Sequence, residues 1–455
     1  MQLNPTSLAA TRNLAVLFMR AGLVDRAIEQ FRKALAMNPP ESEAATLHSN
    51  LVATMFHQWP YAPPAHFEEH VRWAQRFADP LTAAAAPHES DGSPDRRLRI
   101  GYVSPDFRMH PVASFFEPIL KHHDRQNFEV YCYANVAKTD EVTERFRAST
   151  DVWRDVAAMS DEQAAKQMRE DRIDILVDLA GHTAGHRLLV FARKPAPVQV
   201  SYLGYMATTG MSAIDYRITD AYLDLPGKTE RFHTEQLVRL LPKCYCYEPP
   251  SGPAELAIEP PKRANGFITF ASSNRLVKVN SDVMTAWARI TQGVEHSRLV
   301  LLAPGSRDAA ERCLAHLEQH GVARQRVELL PSLPYRKYLQ TLAQFDIGLD
   351  AFPVSGHTTT CNTLWMGTPV VTLAGETYVS RLGASVLANL GLHNLIASNV
   401  DEYVRIAIDL AHDEARLAQL RRDLRGLVED RVADGLTFTR QLEGAYRMMW
   451  RRWCA

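Results

Sequence analysis

The chain has 455 residues, 46% hydrophobic and 23% charged, which is enough to bury two or three cores and excludes a disordered or fibrous protein. Its 51 basic and 52 acidic side chains leave a formal charge of −1 and are scattered along the sequence, which excludes an obvious footprint for nucleic acid or an anionic membrane. No run of about 18 apolar residues occurs, and the opening "MQLNPTSLAATRN" shows no basic-then-apolar leader pattern. The six cysteines (Cys132, Cys244, Cys246, Cys313, Cys361, Cys454) lack Cys-x-x-Cys pairing, so a cytoplasmic protein with reduced thiols is expected.

Residues 8–39 hold two amphipathic stripes joined at Ala21-Gly22, with Ala15, Phe18, Ala27, Phe31, Ala34 and Pro39 at tetratricopeptide spacing. Alanines let the paired helices approach, Phe31 fills the groove between them, and Pro39 stops the second helix because it cannot donate a backbone bond. Two more helices are expected over 42–79, broken at "WPYAPPAHF" and stacked on the first pair, since a lone repeat is unstable. This sets a helical segment at 1–80 that is suited to reading extended peptides, followed by a small-residue, Pro-containing linker at 81–97.

From Leu98 the pattern changes to short apolar runs alternating with amphipathic helices. "LRIGYV", "FEVYCYA", "IDILVDLAG", "VQVSYL", "YRIT" and "QLVRL" predict one α/β unit over 98–240. "GFITFAS", "SRLVLLA", "RVELLP", "DIGLD" and "PVVTLA" predict a second over 266–430, after a Pro-rich linker at 241–265 and before a closing helix at 431–455. Open parallel sheets bind ligands beyond the carboxyl ends of their strands, so a ligand is expected where two such units face each other.

The stretch "FPVSGHTTTCNTLWMG" (352–367) joins a strand to a helix and places Gly356, His357, Thr358, Thr359 and Thr360 at the helix start. Free N–H groups, the positive dipole end, a glycine that admits close approach and several hydroxyls make a phosphate site, whereas helix capping needs only one such residue. "SSNRLVKVNSDV" (272–283) occupies the equivalent corner earlier in the unit, where Arg275 and Lys278 are expected to point into the same cleft and the lysine to neutralise charge on a departing diphosphate. In the first unit, Asp106 and His110 follow the first strand. His182, Thr183 and His186 follow a later one, and Leu203-Gly204-Tyr205 another, all at strand ends where histidines serve as bases or hydrogen-bonders. No Asp-x-Asp pair is present to clamp a divalent metal on a sugar nucleotide, so metal is not expected.

Taken together, "RIGYVSPDFRMHPVASFF", "ILVDLAGHTAGHRL", "KPAPVQVSYLGY", "DYRITD", "SSNRLVKVN" and "SGHTTTCNTLWMGTPVVTLAGETYVSRLGASVL" resemble the protein O-GlcNAc transferase family with its SPINDLY-like members, over about residues 1–452. The resemblance implies tetratricopeptide repeats before a GT-B fold of two Rossmann-like lobes, and metal-free, inverting transfer of a sugar from a nucleotide donor to Ser or Thr. It implies His110 as the active-site histidine and Lys278 at the donor's diphosphate. His357, Thr358 and Thr359 match the phosphate-binding run, Thr183, Leu203 and Gly204 lie near the sugar, and His182 and Tyr205 are candidate sugar or acceptor contacts. Tyr338 falls where many members place a base-stacking histidine, and Arg275 where some have Gln or Asn. Asn362 replaces an acidic residue that bonds the ribose, Met206 replaces the usual Pro after Leu-Gly-Tyr, and the repeat array is short. The resemblance thus implies a GlcNAc transferase using UDP-GlcNAc on protein acceptors, with no cofactor, nucleic acid or membrane partner. O-fucosylation from GDP-fucose and an inactive repeat scaffold stay open beside it.

Overall fold

The computed structural model describes residues 7–88, 92–250, 259–302 and 307–455. Parts of the expected linkers (89–91 and 251–258), the opening residues 1–6, and the end of the run "SRLVLLA" at 303 lie outside the described residues. Strands buried on both faces are apolar along their length, and every run picked from the sequence forms a strand.

The chain divides into two units. The first, the N-terminal unit, comprises Leu35–Ala53, Ala62–Glu248 and Asp434–Ala455. Its strands are β1 (Leu98–Ser104), β2 (Phe128–Ala134), β3 (Val152–Asp155), β4 (Ile175–Asp178), β5 (Val198–Ser201), β6 (Tyr216–Asp220) and β7 (Gln236–Leu240). They form one seven-stranded sheet, ordered β3-β2-β1-β4-β5-β6-β7, in which all pairings are parallel.

The C-terminal unit comprises Met1–Ala34, Thr54–Tyr61 and Pro249–Ala433. Its strands β8 (Thr269–Ser272), β9 (Arg298–Leu302), β10 (Val327–Leu330), β11 (Ile347–Leu349), β12 (Val370–Leu373) and β13 (Ile396–Ala397) form a parallel sheet ordered β10-β9-β8-β11-β12-β13. Parallel neighbours require helical crossovers, which put all the loops that follow strands along one edge of each sheet.

The helical segment read as a single block before residue 80 is shared between the two units. Helices α1 (Leu8–Arg20) and α2 (Val24–Ala36) form the expected hairpin, turning at Gly22 with φ +74°, a left-handed conformation that suits glycine. Ala15, Ala27, Ala34 and Phe31 are buried as the spacing predicted. Apart from its last residues, α2 belongs to the C-terminal unit. Helix α3 (Glu41–Met55), except its last turn, and all of α4 (Pro63–Phe77) belong to the N-terminal unit. Pro63 and Pro64 start α4, where a missing N–H costs nothing. Trp73 and Phe77 of α4 join Leu188, Phe191, Met211 and Ile214 in one core, and the Trp73 indole N–H donates to the Ala45 carbonyl at 2.9 Å.

The closing helix Gly435–Cys454 also belongs to the N-terminal unit. Its buried Glu443 accepts from His123 Nδ1 at 2.9 Å and from the Asp124 N–H at 2.7 Å, while His123 Nε2 meets the Tyr102 hydroxyl at 2.8 Å. Glu443→Ala would leave the His123 and Asp124 donors without their acceptor, at a cost of about 1–3 kcal/mol. Urea denaturation is expected to show that loss with the m-value unchanged, and an unaltered midpoint would mean that the bonds contribute nothing.

Candidate functional site

In the C-terminal unit the site is assembled on one carboxylate. Asp350 directly follows β11, is 2% exposed, and its Oδ1 accepts from Asn274 Nδ2 at 3.0 Å and the Gly356 N–H at 2.8 Å. Its Oδ2 accepts from Thr372 Oγ1 on β12 at 2.8 Å, and its carbonyl accepts from the Tyr403 hydroxyl at 2.8 Å. Burial pushes the Asp350 carboxyl up, while Thr372, the Lys278 ammonium, Gly356 and Asn274 hold it down. The loops after β8 and β11 and the strand β12 are thereby tied to one point.

Lys278 ends the single 3-10 turn Leu276–Lys278 after β8, and its Nζ donates to the Ser355 carbonyl at 3.0 Å. Burial brings its pKa down to about 8, against Asp350, which raises it; Arg275, exposed on the same turn, lowers it further. Asn280 caps the next helix, and its Nδ2 donates to the Phe352 carbonyl at 2.7 Å, which fixes the start of the loop from 352 to 357.

The helix Thr358–Trp365 begins at His357, whose side chain makes no capping bond, so the capping explanation for the threonine run is not the one the structure uses. The Thr359 hydroxyl oxygen is buried and makes no hydrogen bond among the described residues. Gly356 is obligatory here, because a Cβ would lie 2.4 Å from Thr359 Oγ1 and 2.7 Å from Thr360 Oγ1. Burial and then Lys278 hold the His357 imidazole down to about 3, so it stays neutral. An ammonium, an uncapped helix start and an inward hydroxyl converge on one loop, an arrangement built for an anion.

Two tyrosines flank Asn362 of the same helix. Tyr338 packs partly buried against Leu339, Leu342 and Phe345, while Tyr335, one turn earlier, is 42% exposed and stacks on it with centroids 6.2 Å apart. The Tyr335 hydroxyl donates to Asn362 Oδ1 at 3.4 Å.

In the N-terminal unit, Asp106 and His110 lie on the loop after β1. Asp106 Oδ2 is 3.6 Å from His110 Nδ1, and the Val112 N–H donates to that same nitrogen at 3.3 Å. Burial lowers the imidazole pKa and raises the carboxyl. With Nδ1 accepting from Val112, Nε2 carries the hydrogen; with Nδ1–H turned to Asp106, Nε2 has a free lone pair. The side chain therefore serves as donor or base by a tautomer change.

Asp178 closes β4 and accepts from the N–H groups of Ala180 at 3.1 Å and Gly181 at 2.7 Å, its carboxyl pushed up to about 6 by burial. It shapes the loop bearing Thr183, whose Oγ1 donates to the Ala180 carbonyl at 2.8 Å. Leu203 holds a left-handed φ of +67°, and Gly204 presses on the chain leaving β4 so closely that a Cβ would lie 1.7 Å from the Leu179 oxygen. His182 and Tyr205, taken from the sequence as sugar or acceptor contacts, are instead 1% and 2% exposed. His182 meets Ser49 Oγ at 3.0 Å and the Thr209 carbonyl at 2.9 Å, and Tyr205 meets His70 at 2.7 Å. These bonds tie both side chains into the interior of the unit. Sequence reasoning passed over Asp350, Asn274, Asp178, His70 and Tyr335. The available signal was an aspartate closing an apolar run, as in "DIGLD" and "ILVD".

The profile of glycosyl transferase family 41 matches residues 81–246 and 261–441. A Solanum lycopersicum protein named a probable UDP-N-acetylglucosamine–peptide N-acetylglucosaminyltransferase SPINDLY is 44% identical over 85% of this chain. An Arabidopsis thaliana protein with the same description and the name SEC is 33% identical over 84%. The alignments take in 42% and 40% of those relatives, so the chain spans less than half the length of each. A solved structure of a variant O-GlcNAc transferase from Thermobaculum terrenum matches with a TM-score of 0.93 at 40% identity, covering 99% of this chain and 85% of that one. The two α/β units are thus of the GT-B class.

Asp350→Ala would strip the acceptor from Asn274, Gly356 and Thr372 together, costing about 3 kcal/mol or more. Asp350→Asn should cost less, since its oxygen can still accept from Gly356 while its amide donates to Thr372. Urea denaturation with amide exchange at Gly356 checks this order; equal, near-parental behaviour of both variants would show the carboxylate to be dispensable.

Proposed function

Because the chain belongs to glycosyl transferase family 41, we propose that it transfers N-acetylglucosamine from UDP-GlcNAc to Ser or Thr hydroxyls of proteins, with inversion and without a metal ion. The observation that carries this reading is the anion cradle of Lys278, Gly356 and Thr359 at the uncapped start of the helix Thr358–Trp365. It supplies positive potential for a nucleoside diphosphate from the protein's own groups. The relatives named for UDP-N-acetylglucosamine and peptide transfer support the donor and the acceptor class.

In the reaction the acceptor oxygen forms a bond to C1 of the sugar, on the face opposite the diphosphate. The bond from C1 to the β-phosphate oxygen breaks, and its electron pair leaves with UDP. The hydroxyl proton passes to His110 Nε2, for which the Nδ1–H tautomer faces Asp106. Thr183 and the Leu203–Gly204 turn are assigned to the sugar, Tyr335 and Tyr338 to the base, and Asn362 to the ribose. We place the protein in the cytoplasm; among the described residues no helix is long and apolar enough to cross a membrane.

GDP-fucose is the competing donor, left open by the resemblance of the chain to SPINDLY-like members. Calorimetry with UDP, GDP, UDP-GlcNAc and GDP-fucose, followed by transfer to a protein acceptor in EDTA, separates the readings. UDP binding and chelator-resistant GlcNAc transfer are expected. Selective GDP binding would move the assignment to fucose, and binding of none of the four would point to a scaffold.

Lys278→Ala should lower turnover by about 2.7–4 kcal/mol, as for loss of one group that stabilises developing charge, and donor affinity far less. The pH dependence has a defined sign. An ammonium favours the charge developing on the departing diphosphate, so kcat/KM is full while Lys278 is protonated and falls as pH rises through about 8. That fall should vanish in Lys278→Ala; turnover within a few-fold of the parent, or a kcat/KM flat across pH 7–9 on this limb, would remove the lysine from this role.

A further inference from the structure

His70 of α4 is fully buried, and both of its ring nitrogens are committed. Nδ1 lies 2.7 Å from the His66 carbonyl oxygen, which can only accept, so Nδ1 carries the proton. Nε2 is then the acceptor of the Tyr205 hydroxyl at 2.7 Å. Nothing in the chemistry of a sugar nucleotide calls for this bond, yet Tyr205 directly follows the Leu203–Gly204 turn.

The turn has little freedom of its own. Leu203 is held at a positive φ, and Gly204 is wedged against the Leu179 carbonyl. Gly181, in the loop that carries Thr183, abuts the Tyr205 ring so closely that a Cβ there would lie 2.3 Å from Tyr205 Cβ. The Tyr205 carbonyl accepts from Arg217 Nη2 at 2.7 Å, and His182 spans from Ser49 of α3 to the Thr209 carbonyl. Tyr205 is therefore the point at which the loops after β4 and β5 meet, and its hydroxyl is fixed by a helix from the segment that sequence alone assigns to reading acceptors.

We propose that His70, acting through the Tyr205 hydroxyl, is a positioning residue for the Leu203–Gly204 turn, so that α4 sets the geometry of the sugar-binding loops. The inference rests on the reading, made above, that this turn and Thr183 lie near the donor's sugar. It makes α4 part of the catalytic unit, whatever surface the helical segment offers to a protein acceptor.

Tyr205→Phe deletes only the hydroxyl, and His70→Leu only the acceptor, whereas His70→Gln retains an acceptor at the Nε2 position. In the full chain, Tyr205→Phe and His70→Leu should each lower the kcat of sugar transfer about tenfold, the loss expected of one buried hydrogen bond. UDP affinity should stay within about twofold, because the diphosphate groups sit in the other unit. Amide exchange at 203–207 should accelerate about tenfold, and His70→Gln should restore most of both readouts. Parental kcat and parental exchange in folded Tyr205→Phe would overturn the proposal. So would equal loss of UDP affinity and of global stability, which would mark the bond as packing alone. If the parent transfers no sugar, the functional reading fails by itself, and the exchange of 203–207 still decides whether His70 holds the turn.

Discussion

A chain leaving the buried end of a parallel strand must satisfy its inward N–H groups without help from a neighbouring strand, and both units meet this constraint with a strand-terminal aspartate. Asp178 closes β4 and takes the N–H groups of Ala180 and Gly181. Asp220 closes β6 and takes those of Tyr222 at 2.9 Å, Leu223 at 2.8 Å and Cys244 at 3.1 Å. Asp350 follows β11 and gathers Asn274, Gly356 and Thr372. A buried carboxylate is costly unless it is fully hydrogen-bonded, so each can persist only while its loop keeps one conformation. The bonds that satisfy the fold are therefore the same bonds that shape the loops carrying Thr183, Gly356 and Lys278.

The anion cradle gains its character from this economy. Asp350 and Lys278 lie close enough to shift one another's pKa, so the loop is not simply a concentration of positive charge. Its positive potential comes from oriented dipoles at a helix start without a side-chain cap, beside the Thr359 hydroxyl, together with an ammonium already partly desolvated. Dipoles held in place by packing need no reorganisation when charge develops, whereas mobile surface cations do. Neutral His357 fits the same logic, since a second cation beside Lys278 would repel it.

Most of the architecture was legible because parallel strands announce themselves as uninterrupted apolar runs. The two strands missed, β3 and β13, lack that signal: "VWRD" is a half-exposed edge strand and "IA" is only two residues long. The placement of the threonine run and Lys278 on loops after strands was legible, because both follow apolar strand runs in the sequence. The His70–Tyr205 bond was not, since its partners are 135 positions apart and each reads as an unremarkable residue on its own element. The surroundings of His182 were hidden for a related reason. A histidine after a strand looked chemical, but Ser49 and Thr209 close over it, and only tertiary packing reveals that. The split of the helical segment between the units was equally hidden, because amphipathic stripes report that a face is buried and not what buries it.

Asn362 gains a physical rationale from its neighbours. It is 3% exposed, and the hydroxyls of Tyr335 and Tyr338 both act on it, the first donating to its Oδ1. A carboxylate at this buried position would have these two tyrosine hydroxyls as donors against its desolvation, whereas a neutral amide costs less to bury. The family resemblance puts an acidic residue here beside a base-stacking histidine, a side chain able to carry positive charge. In this chain that position holds Tyr338, which offers an aromatic face but no charge, and residue 362 is a neutral amide. The two departures thus belong together: an amide can accept from a tyrosine and still present a donor to a ribose oxygen, which a carboxylate cannot. As a matched pair they make this part of the helix Thr358–Trp365 a set of neutral groups, while the positive charge near its start is that of Lys278.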